Sequence, residues 1–208
     1  MGNVLYLERA SFQAFLSNIN QLKLRKMNHT QVKLMFETML YGAMRISEVL
    51  QITPESLVGN DQIKLEVTKG GVERCKCSKW SYRPAKLVSS NKDCAKCHGN
   101  GKYRIPAYAY ILPEVYADLQ EIAKTKKPNE KLFPVHRTIV WKYVDKLFEG
   151  RTHTFRHTWL TWMLEKEKFN IRDIKQKARH KSLLTTTNYI EANQDVTRKK
   201  EAEVFERI

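Results

Sequence analysis

A chain of 208 residues is long enough to bury one sizeable core, or one core and a small appendage. Its 42% apolar content, with four Trp and eight Phe, excludes a disordered chain, and 37 Lys and Arg against 22 Asp and Glu leave a formal charge of +15 that favours a polyanionic partner. No apolar run approaches the length of a membrane span and no secretory leader opens the sequence, so the expected compartment is the cytoplasm, with no membrane partner.

Residues 5–20 have helical spacing, with Leu7, Phe12 and Phe15 as apolar positions. Asn28 or Thr30 is placed to cap a second helix carrying Val32, Leu34, Met35, Phe36, Met39 and Leu40. Gly42 loosens that helix, a short one follows over 44–50, and Pro54 ends it. Residues 61–68 alternate Ile63, Leu65 and Val67 with polar side chains and read as a half-buried strand. Residues 103–106 read as its partner, which makes a hairpin with a long insertion at its tip. Helices are expected over 113–125, 136–149, 153–167, 170–178 and 182–191, with Trp141, Trp159 and Trp162 at core-like spacing. The tail, 193–208, is a charged helix whose thin stripe of Val196, Val204, Phe205 and Ile208 suits docking on another surface. The fold class is mainly α with a small antiparallel β-hairpin or sheet.

All four cysteines fall in the insertion: Cys75-x-Cys77, then sixteen residues, then Cys94-x-x-Cys97. In a chain without a leader such a cluster favours metal over disulfides, and four thiolates suit a tetrahedral, structural Zn2+. His98 adjoins the last cysteine and is not needed as a ligand. Between residues 72 and 102 eight Lys or Arg face only Glu73 and Asp93, with Trp80 and Tyr82 interleaved. That composition reads as a zinc knuckle touching DNA through Arg74, Lys76, Lys79, Arg83 and Lys86. The bland alternative is a stapled loop with a solvated basic face.

Four separated pieces carry chemistry when read together: Arg45 with Glu48, Lys69, the run from His153 through Arg156 to His157, and His180 with Tyr189. Phosphoryl transfer needs cations on the non-bridging oxygens, an in-line nucleophile and an acid for the leaving oxygen. Two Arg, a Lys, two His and a Tyr supply these with no catalytic metal and no nucleotide. Arg suits the clamp because its planar fork binds phosphate bidentately, and Tyr can hold a covalent phosphodiester. A metal shared by His153 and His157 is the competing reading, but no third ligand is evident and Arg156 stands between them. His157 reads as a buried, hydrogen-bonded histidine.

The order and spacing resemble the tyrosine recombinase (phage integrase) superfamily over about residues 28–192. "YGAMRISEVLQIT" resembles its Gly-x-Arg-x-x-Glu box, although Ala43 and Met44 separate Gly42 from Arg45; "VTKGGVER" resembles the catalytic-lysine hairpin and "YRIPA" its return strand. "THTFRHTWLT" resembles the His-x-x-Arg-His box, and "ARHKSLLTTTNYIEA" the terminal box, in which a His precedes the nucleophilic Tyr by nine positions. The family usually has Gly before that His, where this chain has Arg179. A non-Gly residue there demands an accommodating backbone, and Arg179 is expected to add a phosphate contact.

The resemblance implies that Arg45 and Arg156 clamp the scissile phosphate with a hydrogen bond from His180. Lys69 protonates the departing 5′ oxygen, His153 is the acid–base partner of Tyr189, and Glu48 and His157 support the clamp. It further implies a catalytic domain over 1–192 and an oligomerisation helix over 193–208, which would form a dimer or tetramer on double-stranded DNA with inverted-repeat sites. Few residues precede the first box, so the chain is either trimmed or a minimal enzyme resembling compact (archaeal-type) tyrosine transposases of prokaryotic mobile elements. A DNA-binding protein that has lost cleavage, and a type IB topoisomerase, are the alternatives.

Overall fold

The computed structural model describes residues 6–65, 72–82, 85–104, 106–148, 150–166 and 169–180. The chain divides into two compact units, one made of the residues up to Ile63 with those from Ala109 onward, the other of Lys64–Tyr108. In chain order the elements are α1 (Arg9–Asn18), α2 (His29–Tyr41), α3 (Ile46–Val49), β1 (Leu57–Val58), β2 (Gln62–Leu65), β3 (Val72–Arg74), β4 (Ser78–Tyr82) and β5 (Ala85–Ser90). They continue with β6 (Lys102–Arg104), β7 (Ala107–Tyr110), α4 (Pro113–Ala123), α5 (Arg137–Leu147), α6 (Thr152–Lys166) and α7 (Ile171–Ala178). The described fold is therefore mainly helical with small antiparallel sheets.

In the first unit α2 and α7 begin where side chains take up the free N–H groups of a first turn. Asn28 caps α2 in a reciprocal box: its Oδ1 accepts from the Gln31 N–H at 2.8 Å, and the Gln31 Oε1 accepts from the Asn28 N–H at 3.1 Å. Asn170 and Asp173 make the same arrangement at α7. Helix α6 buries Thr154, Phe155, Arg156, Thr158, Leu160, Thr161, Trp162 and Met163 around most of its circumference, and the side bearing His153 stays open. The segment before α1 docks on α6 through two bonds, Leu7 N–H to Thr158 Oγ1 and Trp162 Nε1–H to the Leu7 carbonyl, each 2.9 Å.

An aromatic cluster joins α1, α2 and α6. The Phe155 ring stands 5.1 Å from Phe15, 5.0 Å from Phe36 and 6.1 Å from Phe12, in tilted or edge-on geometries that rings favour. Phe155 has no solvent exposure. Phe155→Ala is therefore expected to destabilise the protein by about 3–5 kcal/mol, checked by urea unfolding followed by circular dichroism. Trp159 and Trp162 pack as their spacing predicts, but Trp141 does not. It is 45% exposed with the Arg137 guanidinium 5.2 Å over its ring, because that face of α5 is left open among the described residues.

Strand pairing also differs from the simple hairpin. The sheet order is β1-β2-β7, so β2 pairs with Ala107–Tyr110 rather than with 103–106. Tyr103 and Arg104 belong instead to β6, which pairs with β3 in the register Val72↔Arg104, Glu73↔Tyr103 and Arg74↔Lys102. The insertion thus has a two-stranded ladder of its own, and a second hairpin, β4–β5, with a bulge at Lys79/Trp80.

Candidate functional site

Two constellations stand out, one in each unit. In the first unit the chain between α2 and α3 makes a tight turn in which buried Ala43 takes a left-handed backbone at φ 44°. Arg45 is the N-cap of α3, and Glu48, three residues on, returns its carboxylate to it. Glu48 Oε2 accepts from the Arg45 N–H and Oε1 from Arg45 Nη1, both at 2.8 Å. Glu48 is buried at 2% exposure while the Arg45 side chain keeps 21%.

Arg156 enters from α6. At 1% exposure it is the largest fully buried side chain, and its two Nη groups donate to the carbonyls of Ala43 and Ala178. One arginine thus ties the α2–α3 turn to the end of α7. Arg179 follows as the C-cap of α7 in the left-handed region, φ 55° and ψ 40°. That conformation costs a non-glycine residue roughly 1–2 kcal/mol, so its side chain must recover the difference. It donates from Nη2 to Glu48 Oε2 at 2.8 Å and to the Ala43 carbonyl at 3.0 Å, and from Nη1 to the carbonyls of Lys177 at 3.1 Å and Gly42 at 3.3 Å. These bonds all turn inward, with 9% of the Arg179 side chain exposed.

Three guanidinium groups therefore act on one carboxylate. Burial alone would raise the Glu48 carboxyl, yet Arg179, then the Arg45 backbone N–H, then Arg45 and Arg156, hold it below the usual range. Glu48 is ionised at neutral pH, and the cluster keeps a surplus of positive charge. His180 lies in that field, lowered to about 4 by burial first and then by Arg156, Arg45, His157 and Arg179. His157, half-buried, is lowered to about 4 by burial, His153 and Arg156, in keeping with a packed histidine. Both imidazoles are neutral at pH 7, each with one ring N–H to donate and one ring nitrogen to accept. His153 is exposed in the first turn of α6, its ring 5.6 Å from that of His157. It borders a groove of about 690 Å³ that Trp141, Val144, Gly150 and Arg151 also line. Lys69 and Tyr189 lie outside the described residues.

In the second unit the four cysteines converge from two turns. Ser78 N–H bonds the Cys75 carbonyl at 3.0 Å, and His98 N–H the Cys94 carbonyl at 2.8 Å. All four Sγ atoms lie within 4.8 Å of one another, with separations of 3.3, 3.4 and 3.6 Å for Cys75–Cys77, Cys77–Cys97 and Cys75–Cys94. A tetrahedron with Zn–S bonds of about 2.3 Å has S···S edges of about 3.8 Å, so the donor set fits such an ion after a slight expansion. The backbone N–H groups of Cys97 and Lys96 draw the Cys94 thiol down to about 6, while hydrogen bonds with Cys75 and Cys97 push the Cys77 thiol up to about 12. Gly101 is confined as well: it has φ 64°, and a Cβ there would run into the Leu87 side chain.

Two cations approach the Trp80 ring, Lys102 Nζ at 4.6 Å and Arg74 Cζ at 5.0 Å from its centroid. Arg74 and Lys102 are cross-strand partners, a like-charge pairing that their shared approach to the ring offsets. Arg74, Lys76, Lys79 and Lys86 are exposed, and Arg83 lies outside the described residues.

The comparisons with known proteins agree with this architecture. A family model described as "Phage integrase family" matches residues 6–195. No curated protein sequence matches the chain at a significant level. Among solved structures, the catalytic domain of bacteriophage HP1 integrase is 17% identical with a TM-score of 0.59, over 91% of this chain and 88% of that one. XerA recombinase is 15% identical with a TM-score of 0.63, over 98% and 66%. The integrase of the Tn1549 transposon, solved in complex with transposon right-end DNA, is 18% identical with a TM-score of 0.63, over 98% and 67%. At such identities the likeness is one of fold. No helix among the described residues is long and apolar enough to cross a membrane.

Proposed function

The chain belongs to the phage integrase family, whose members are tyrosine recombinases, and on that premise we propose that it cuts and rejoins duplex DNA at specific sites as a minimal transposase or integrase. The observation that carries the reading is the cluster of Arg45, Arg156 and Arg179 around the single buried carboxylate of Glu48. A surplus of guanidinium charge in a partly dry site is a place for a phosphodiester.

In the proposed reaction the Tyr189 hydroxyl attacks the scissile phosphorus and gives its proton to His153. The bond from phosphorus to the 5′ oxygen breaks, Lys69 protonates that oxygen, and a 3′-phosphotyrosyl bond remains. A 5′ hydroxyl from another strand reverses the steps, so no ATP and no catalytic metal are consumed. Arg45 and Arg156 hold the non-bridging oxygens, with the neutral His180 donating a third bond. At 1% exposure Arg156 meets the phosphate only after a local rearrangement uncovers it, which couples DNA binding to assembly of the site.

Cys75, Cys77, Cys94 and Cys97 would hold a Zn2+ that supplies rigidity and no reaction chemistry, since four thiolates leave no position for water. The knuckle then carries Arg74, Lys76, Lys79, Arg83 and Lys86 to the DNA backbone. The reading further takes 1–192 as the catalytic domain, 72–102 as its zinc-binding insertion and 193–208 as a helix through which copies pair on inverted-repeat sites in a prokaryotic cytoplasm. A nicked suicide duplex, from which the cut fragment diffuses away, tests the reaction. The wild-type protein should trap a covalent adduct and Tyr189→Phe should trap none, whereas the absence of any wild-type adduct sinks the enzyme reading in favour of a DNA-binding protein.

A further inference from the structure

The two boxes that carry Arg45 and His180 each differ at one place from the pattern they resemble: Ala43 and Met44 separate Gly42 from Arg45, and Arg179 stands where Gly is usual. The structure brings these departures together. Between Gly42 and Arg45, Ala43 takes the left-handed region at φ 44°, and its carbonyl accepts from Arg179 Nη2 at 3.0 Å. The preceding residue, Gly42, offers its carbonyl to Arg179 Nη1 at 3.3 Å. The remaining two Nη donor directions go to Lys177 and Glu48. All four Nη hydrogens of Arg179 are thus spent within the protein, which leaves no Nη donor for a phosphate.

We infer that Arg179 is a positioning residue: it braces Glu48, and through Glu48 the catalytic Arg45, against the Gly42–Ala43 turn, and its left-handed backbone sets the direction in which the chain enters His180. The inference rests on the recombinase reading for its consequence and on the geometry for its mechanism. Glu48 has one oxygen on the Arg45 guanidinium and the other shared between the Arg45 N–H and Arg179. With Arg179 gone, that second oxygen keeps only the backbone bond. The carboxylate then swings more easily, and the Arg45 fork swings with it. At the other end of the residue, Arg179 N–H bonds the Gln176 carbonyl and His180 N–H the Lys175 carbonyl, 2.9 and 3.0 Å, the closing pattern of a helix ended by a left-handed residue. Backbone and side chain of one residue thereby fix two members of the site.

The informative variant is Arg179→Gly, because glycine adopts φ 55° without strain and so removes the side chain while leaving the turn in place. In single-turnover cleavage of the suicide duplex, Arg179→Gly should lower the rate at saturating DNA by about tenfold or more. Its DNA Kd should stay within about threefold of wild type, and Arg179→Lys should recover part of the rate. A phosphate contact would do the reverse: weaker binding, a salt dependence of log Kd shallower by about one, and an unchanged rate at saturation. That result overturns the inference.

A second arm needs no activity. Carbon-13 detection of the Glu48 carboxyl through an acid titration should show its midpoint moving upward in Arg179→Gly, while Arg45 and Arg156, the other charges facing it, remain. An unmoved midpoint overturns the brace even if the wild-type protein cuts no DNA; a moved midpoint with no wild-type cleavage upholds the brace and rejects the recombinase reading instead.

Discussion

Arg156→Ala is expected to lose on the order of 10³-fold or more in strand cleavage and to destabilise the first unit at the same time. The two effects have separate origins. Arg156 donates to the carbonyls of Ala43 and Ala178, so its truncation strands the buried Ala178 carbonyl, leaves the Ala43 carbonyl to Arg179 alone, and empties the space of the largest fully buried side chain among the described residues. Each unpaired buried carbonyl costs about 1–3 kcal/mol. Arg156→Lys separates stability from chemistry. A lysine keeps the charge and reaches one carbonyl, which limits the loss of stability, but a point charge does not replace a planar fork on a phosphate. Urea unfolding should rank wild type above Arg156→Lys above Arg156→Ala, while cleavage should be low in both variants. A folded Arg156→Lys with wild-type cleavage would remove Arg156 from the proposed clamp.

Removal of the metal is expected to have the second large effect, confined to the residues between Lys64 and Tyr108. Among the described residues that unit has little apolar burial of its own: Cys75 and Cys97 are its most deeply buried cysteines, and Val88 is 66% exposed. A structural zinc contributes about 10–16 kcal/mol of apparent binding energy to comparable small folds, far more than such a core supplies. The purified protein should hold one zinc per chain. A strong chelator, or Cys94→Ser, should release it and melt the β3–β6 ladder and the β4–β5 hairpin. Loss of amide protection in 72–82 and 85–104 would report this, while the helical circular dichroism of the first unit persists. DNA affinity should fall as the surface built on Arg74, Trp80 and Lys102 disperses. Purified protein without metal, together with no uptake of cobalt into a thiolate-coloured complex, would contradict the assignment.

Much of this architecture is legible in the sequence because it is written in local rules. Asn28 before an apolar-periodic stretch announces α2, and Asn170 with Asp173 announces α7, since caps act over three or four residues. The four cysteines declare their cluster by spacing alone. What escapes is long-range. Alternation finds β2 but does not say whether it pairs with 103–106 or with 107–110, because that choice depends on where the insertion starts its own ladder. Helical spacing places Trp141 with Trp159 and Trp162, yet nothing local tells which face of α5 receives a cover. The inward turn of Arg179 depends on contacts more than 130 positions away in the chain. Its signal was present all the same: an arginine standing where the backbone asks for glycine needs a reason in its side chain.

The proposed phosphotyrosyl bond at Tyr189 is tested by finding where the phosphate goes. A suicide duplex labelled at the 5′ end of the cleaved strand should leave its label covalently on the protein, and mass spectrometry of the digested adduct should place the nucleotide on the peptide containing Tyr189. Label carried away on the free fragment, or a nucleotide on any other residue, would contradict the account.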